Sequence, residues 1–119
     1  LLLFFYAMGM LQMTALVGVY YEELEGLVKT HDIGVIKMEV VRSKGPEDNF
    51  LHKVRKLATD RGIVLIFDEC TSGFRQTFGG LHKIYGVEPD MAMFGKALGN
   101  GYAIAAVIGK KEIIGKLKI

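Results

Sequence analysis

The sequence has 119 residues, half of them hydrophobic, which is enough apolar material for the core of one compact domain. Its formal net charge is +2, with lysines and arginines scattered among acidic residues, so there is no electrostatic case for binding nucleic acid. Cys70 is the single cysteine, which excludes an internal disulfide and leads us to expect a reducing, cytoplasmic compartment.

The first segment of the chain, residues 1–20, is almost wholly apolar. It has no charged side chain, and Gln12 and Thr14 are its polar interruptions. Its length would suit a membrane span, with Tyr20 and Tyr21 as anchors at one end. A signal peptide would need a basic start and a small-residue cleavage site, and neither is evident. The favoured interpretation is a helix or strand of a soluble domain, or sequence foreign to that domain, because the downstream motifs are typical of a soluble fold.

Alternating helices and strands are predicted for residues 21–119, which we treat as one domain. The predicted elements are a short amphipathic helix over Tyr21–Lys29, a strand over Ile33–Val41, a helix with Phe50, Leu51, Val54, Leu57 and Ala58 on one face, a strand over Ile63–Phe67, an apolar run Met91–Phe94, a strand over Tyr102–Ile108 and a helix from Lys110 onward. Gly62 is the predicted C-cap of the second helix, on which Lys53, Arg55 and Lys56 are predicted to face water. A strand, a helix and a strand in this order imply a right-handed parallel crossover, and therefore an α/β fold.

The residues best suited to catalysis or ligand binding follow two of the predicted strands. The run Ile63–Phe67 has the β-branched and aromatic composition of a strand buried on both faces of a parallel sheet, and Asp68 follows at its carboxyl end. The next apolar run, Met91–Phe94, is followed by Lys96. Ligands of open α/β sheets bind outside the carboxyl ends of strands that lie about 4.8 Å apart, so both residues are predicted to face one small flat molecule. Pyridoxal phosphate fits, since it needs a lysine for a Schiff base and an acid that keeps its ring nitrogen protonated.

Four motifs follow one another in the second half of the chain. They are Leu65-Ile66-Phe67-Asp68-Glu69-Cys70-Thr71-Ser72-Gly73-Phe74-Arg75, Gly79-Gly80, Tyr85-Gly86-Val87-Glu88-Pro89-Asp90 and Gly95-Lys96-Ala97-Leu98-Gly99-Asn100-Gly101. In sequence and order they resemble class III pyridoxal-phosphate aminotransferases, most nearly the branch of the glutamate-1-semialdehyde aminomutases and related aminotransferases of surface-sugar pathways. The resemblance implies an α/β fragment of the large, mostly parallel-sheet domain of a fold-type I transferase.

Three site residues are implied by this resemblance. Asp68 would pair with the pyridine nitrogen of pyridoxal phosphate. Lys96 would form the Schiff base and then move protons. Cys70 stands where the family usually has a valine against the cofactor ring, and since a thiol can make that contact too, Cys70 is a candidate cofactor neighbour.

The resemblance also implies a reaction and an assembly. The reaction is transfer of an amino group from a small-molecule donor to a carbonyl acceptor, or its intramolecular version, the aminomutase reaction, and the full enzyme would be a homodimer. Departures from the family pattern indicate a piece of a longer enzyme. No turn that would hold the cofactor phosphate precedes Glu22, the C-terminal domain is absent, and Val40 follows Glu39 where the family has proline. The alternative is a non-catalytic remnant or interaction fragment.

Other interpretations of the same residues remain open. Asp68 and Glu69 after an apolar run also resemble the Walker B acid of a nucleotide hydrolase, but the chain has no Gly-x-x-x-x-Gly-Lys-Ser/Thr loop. His31, His52 and His82 lack metal-ligand spacing and are predicted to lie on the surface or in loops.

Two more charged residues lie inside the first motif. Glu69 is predicted to steady the loops near the site. Arg75 is predicted to be a structural ion-pair partner rather than the group that binds a substrate carboxylate.

Overall fold

The chain forms a five-stranded, mostly parallel sheet. A computed structural model describes residues 2–4, 16–41 and 44–116. The strands are β1 (Leu2–Phe4), β2 (Val35–Glu39), β3 (Val64–Asp68), β4 (Met91–Phe94) and β5 (Ala106–Gly109), and they lie in that order across the sheet. The strands β1 to β4 are parallel to one another, whereas β5 runs antiparallel to β4. The predicted α/β class with a mostly parallel sheet is therefore confirmed.

Helical segments join the strands. Within the described ranges they are α1 (Leu16–Thr30), α2 (Phe50–Arg61) and α3 (Lys111–Ile114), with 3₁₀ turns at Leu81–Tyr85 and Lys96–Gly99. The helix α2 ends at Gly62 as predicted, because the left-handed backbone of this glycine (φ 66°) lets its N–H donate to the carbonyls of Ala58 and Thr59. Together β2, α2 and β3 form a parallel crossover, which brings the ends of β2 and β3 to one edge of the sheet.

The hydrophobic core lies on one face of the sheet. It is built from Leu24 and Val28 of α1, Leu51, Val54, Leu57 and Ala58 of α2, and Ile36, Leu65 and Phe67 of the strands. The prediction that β3 is buried on both faces is wrong for the described residues. Leu65 and Phe67 are fully buried, whereas Val64 and Ile66 are half-buried. The reason is that α1 and α2 both pack on the face that carries Leu65 and Phe67.

Two predicted strands are shorter in the structure. The strand expected over Ile33–Val41 is limited to β2, and the strand expected over Tyr102–Ile108 begins only at Ala106. Local turns explain the second difference, since the N–H of Tyr102 donates to the carbonyl oxygen of Gly99 (2.8 Å). A backbone group held in a turn is not available to the ladder of the sheet.

The prediction that Arg55 faces water is wrong. Its guanidinium donates to Oδ2 of Asp90 at 2.8 Å, and the same carboxylate accepts the N–H of Leu65 (2.8 Å) and the ammonium of Lys110 (2.6 Å). Burial alone would raise the pKa of Asp90, but these hydrogen bonds outweigh it and hold the pKa below its usual range. This buried carboxylate therefore ties α2 to the amino end of β4.

The apolar N-terminal segment contributes to the sheet. Leu2–Phe4 form β1, in which Leu2 pairs with Val35. A strand of the domain is one of the alternatives predicted for this segment. Residues 5–15 lie outside the described residues, and the division of the chain at residue 20 stays a prediction. Among the described helices, none is long and apolar enough to cross a membrane.

Candidate active site

Asp68 and Lys96 lie at the same edge of the sheet, beyond two neighbouring parallel strands. Asp68 is the last residue of β3 and pairs with Met93 of β4. The N–H of Glu69 continues the ladder by donating to the carbonyl oxygen of Met93 (2.8 Å). Lys96 follows β4 directly after Gly95. Asp68 and Lys96 thus lie at the positions that the strand pattern predicted, and their chemical roles stay predictions.

The Asp68 carboxylate is hydrogen-bonded through both of its oxygens. Oδ1 accepts the N–H of Cys70 (3.1 Å), and Oδ2 accepts the ammonium of Lys37 of β2 (2.7 Å). Burial raises the pKa of Asp68, but the hydrogen bonds from Lys37 and from the Cys70 backbone outweigh burial and hold the pKa below its usual range. Asp68 is therefore an ionised carboxylate at neutral pH.

Lys96 presents an exposed primary amine just beyond the carboxyl end of the neighbouring strand β4. Its Nζ donates to Oγ1 of Thr71 at 2.7 Å, which joins the segment after β3 to the segment after β4. The backbone of Lys96 has φ 45°, in the left-handed region that non-glycine residues occupy at a cost of about 1–3 kcal/mol. A 3₁₀ turn over Lys96–Gly99 begins at this residue.

Cys70 lies against the backbone that precedes Lys96. A Cβ placed on Gly95 would be 3.6 Å from the Cys70 sulfur. Burial raises the pKa of the Cys70 thiol, and the Asp68 carboxylate raises it further, so the thiol is neutral at pH 7. A neutral thiol at this point can make a van der Waals contact with a bound ring, as proposed for it from the sequence.

Glu69 organises the loop that follows β3. It is fully buried on the core side of the sheet. Its Oε1 accepts the backbone N–H of His82 (2.9 Å) and contacts Nδ1 of the same ring (2.8 Å), and its Oε2 accepts the hydroxyl of Ser72. Burial raises the pKa of Glu69, but the hydrogen bonds from His82 and Ser72 outweigh it and lower the pKa. The prediction that Glu69 steadies loops near the site agrees with these contacts.

His82 is buried, which corrects the prediction that it lies on the surface or in a loop. It is only 3% exposed and lies in the 3₁₀ turn Leu81–Tyr85. The sequence did contain a signal for such a partner. Side chains alternate across a strand, so if Asp68 points to one face of the sheet, Glu69 points to the core and needs buried donors. His31 and His52 are exposed, as predicted.

Arg75 makes a local contact. Its Nε donates to the carbonyl oxygen of Thr71 at 2.6 Å, so it braces the turn, and within residues 2–4, 16–41 and 44–116 it does not form the ion pair that was predicted. No group of three or more metal-ligating side chains is found in the part of the chain that the structure describes.

The tight path of this loop gives a test of its packing. A Cβ at Gly73 would lie 2.6 Å from Cδ1 of Phe94 and 2.8 Å from the carbonyl oxygen of Glu69. We expect Gly73→Ala to lower the free energy of unfolding, measured by urea denaturation, by about 1–3 kcal/mol. The matched control is Gly26→Ala in α1, where an added Cβ meets nothing within 4 Å; it should raise that free energy by up to about 1 kcal/mol. A Gly73→Ala protein as stable as the unmutated one would contradict the described packing.

Comparison with known proteins identifies the family. A family model described as aminotransferase class-III matches residues 12–119. The chain belongs to the class-III aminotransferases. Among curated relatives, a glutamate-1-semialdehyde 2,1-aminomutase of Nitrosopumilus maritimus (strain SCM1) is 45% identical over 104 residues, which cover 81% of this chain and 24% of the relative. A 3-aminobutyryl-CoA aminotransferase of Cloacimonas acidaminovorans (strain Evry) is 54% identical over 67 residues, 56% of this chain and 16% of the relative.

Solved structures agree with this assignment to the class-III aminotransferases. The ornithine aminotransferase PY00104 from Plasmodium yoelii superposes with a TM-score of 0.75 at 28% identity, covering 83% of this chain and 28% of that one. The chain thus spans about a quarter or less of the length of the curated relatives. The predicted resemblance is confirmed.

Membership of the class-III aminotransferases implies pyridoxal phosphate, and the residues of the site fit that cofactor in two respects. Asp68 is an ionised carboxylate, which suits a protonated ring nitrogen. Lys96 offers a primary amine at the adjacent strand end, which suits the aldehyde. Two further residues of the site were not predicted from the sequence: Thr71, which contacts the Lys96 amine, and Lys37, which contacts the Asp68 carboxylate.

Proposed function

We propose that this chain carries the catalytic lysine and the ring-nitrogen acid of an enzyme that transfers amino groups with pyridoxal phosphate. The substrates would be a small-molecule amino donor and a carbonyl acceptor, or a single molecule rearranged by an aminomutase. The observation that carries the proposal is the placement of the ionised Asp68 and of the exposed amine of Lys96 at the carboxyl ends of neighbouring strands. The class-III family membership supports the same reaction class.

Each residue of the site has a distinct part in this proposal. Pyridoxal phosphate supplies an aldehyde conjugated to a ring that takes up electrons from a substrate carbon. Asp68 holds a proton on the ring nitrogen, because an ionised carboxylate stabilises the charged form of its partner. Lys96 would hold the cofactor through its primary amine, and the same amine would move a proton to and from the substrate carbon. Thr71 orients that amine through the hydrogen bond at 2.7 Å, and Cys70 would contact the ring.

We further propose that these residues act within a longer homodimeric enzyme. The relatives are several times longer than the matched segment, so other parts of such an enzyme would hold the cofactor phosphate and the substrate. The alternative, a non-catalytic remnant, predicts cofactor attachment without amino transfer.

Reductive trapping tests the proposal. The protein is incubated with pyridoxal phosphate, reduced with borohydride and digested, and the modified lysine is mapped by mass spectrometry. We expect the label on Lys96 and its loss in Lys96→Arg, which keeps the charge but removes the primary amine. Labelling elsewhere, or no label at all, would overturn the cofactor site. A label on Lys96 without any half-reaction with amino donors would favour the remnant.

A further inference from the structure

The Asp68 carboxylate already has a cationic partner from a different strand. Lys37 of β2 is beside Ile66 in the register of the sheet, and its side chain reaches along the strands to place Nζ 2.7 Å from Oδ2 of Asp68. The Lys37 side chain is only 20% exposed. A partly buried, charge-assisted contact of this length is stronger than a surface ion pair, because water screens it less.

The register of the sheet explains why a cation is favourable next to Asp68. Glu39 pairs directly with Asp68 across β2 and β3, so two acidic side chains leave the same face of the sheet side by side. Lys37 offsets part of this negative charge. Among the described residues, the titratable groups that face Asp68 by contact or register are Lys37 and Glu39 on β2 and Cys70 after β3, and Lys96 follows the neighbouring strand β4.

The contact between Lys37 and Asp68 affects a bound ring nitrogen because each of the two Asp68 oxygens already accepts a hydrogen bond. Oδ1 accepts the N–H of Cys70 and Oδ2 accepts Lys37. A protonated ring nitrogen that pairs with Asp68 must share this carboxylate with the ammonium. Two cations on one carboxylate repel each other, so the presence of Lys37 opposes protonation of the ring.

We propose that Lys37 is a positioning residue of the active site that shares Asp68 with the cofactor ring and thereby lowers the proton affinity of the ring nitrogen. This inference rests on the proposed function, since it assumes that the ring nitrogen faces Asp68. Lys37 then sets how strongly the ring withdraws electrons, while Lys96 carries the covalent chemistry. A neutral side chain at residue 37 would give a more basic ring.

The test measures the ring nitrogen itself. The protein is loaded with pyridoxal phosphate labelled with ¹⁵N in the ring, and the nitrogen chemical shift is followed from neutral to alkaline pH. In Lys37→Met, which keeps the length of the side chain without its charge, we expect the ring to hold its proton about tenfold more tightly, a rise of about one pKa unit. Lys37→Arg keeps the charge and should titrate like the unmutated protein. Lys56→Met removes the same charge from the exposed pair with Asp60 and should also leave the titration unchanged.

A second measurement separates an effect on the ring from a merely structural contact. In the cofactor-free protein, the ¹³C shift of the Asp68 carboxyl should report a higher pKa in Lys37→Met than in the unmutated protein. If that pKa rises but the ring titration does not move, Lys37 is only structural and the proposal is overturned. If reductive trapping finds no cofactor on Lys96, the proposed function fails and this inference fails with it. If Lys96 is labelled and the ring titrates alike in all variants, only the inference about Lys37 fails.

Discussion

Replacing Asp68 by asparagine is expected to slow amino-group transfer by about 10²–10³-fold, the usual effect of removing one preorganised electrostatic partner. An amide carries no charge to hold a proton on the ring nitrogen, and an unprotonated ring is a poorer electron sink. Attachment of the cofactor to Lys96 should persist, because the amine is untouched. The measurement is the single-turnover rate with an amino donor, combined with trapping at Lys96.

The structure adds a second effect of this substitution. Asp68 uses one oxygen for the Cys70 N–H and the other for Lys37, whereas asparagine has a single acceptor oxygen. One of the two donors therefore loses its partner, and a small loss of stability should accompany the loss of rate. Asp60→Asn on α2 is the matched control, because it removes the same charge from an exposed ion pair. Equal rates for Asp68→Asn and Asp60→Asn would contradict the role of Asp68.

The largest effect on folding is expected for Glu69→Ala. Glu69 is fully buried and accepts hydrogen bonds from His82 and Ser72. Alanine would leave these donors without a partner in the core. The expected loss in the free energy of unfolding at pH 7 is about 3–5 kcal/mol, as for other broken buried pairs. Urea denaturation measures it, and Glu22→Ala at an exposed position of α1 is the control, with an expected change near zero. Equal stability of the two variants would rule out a structural role for the Glu69 network.

Glu69→Gln isolates the charge of this residue. The amide keeps one acceptor for His82 and can donate to Ser72, so we expect a smaller loss, about 1.5–3 kcal/mol. The pKa of Glu69 is lower in the folded protein than its unfolded value of about 4.3, so its stabilising contribution is complete at neutral pH and is lost as pH falls through the folded-state pKa. Stability measured from pH 7 to acid should therefore fall less steeply in Glu69→Gln than in the unmutated protein. Parallel slopes would contradict the lowered pKa.

The positions of Asp68 and Lys96 could be predicted because they follow from local rules. Each comes directly after a short apolar run, and parallel strands present their carboxyl ends at one edge. Gly62 was equally predictable as a helix cap, since the left-handed conformation favours glycine.

The partners of Lys37, Arg55 and His82 could not be identified from the sequence, because each partner lies far along the chain. Lys37 meets Asp68, Arg55 meets Asp90, and His82 meets Glu69 only after the strands have paired. A lysine or arginine at a strand or helix surface normally faces water, and periodicity alone gives no sign of an acid on the next element.

The left-handed backbone of Lys96 has a consequence for how this position evolves. Glycine adopts φ near 45° without a steric penalty, so selection for folding alone would favour glycine at residue 96. The proposed chemistry favours lysine at the same position and needs its amine. Stability and catalysis are thus opposed at a single residue, and a protein of this family that lost its catalytic task would gain stability by exchanging that lysine for glycine.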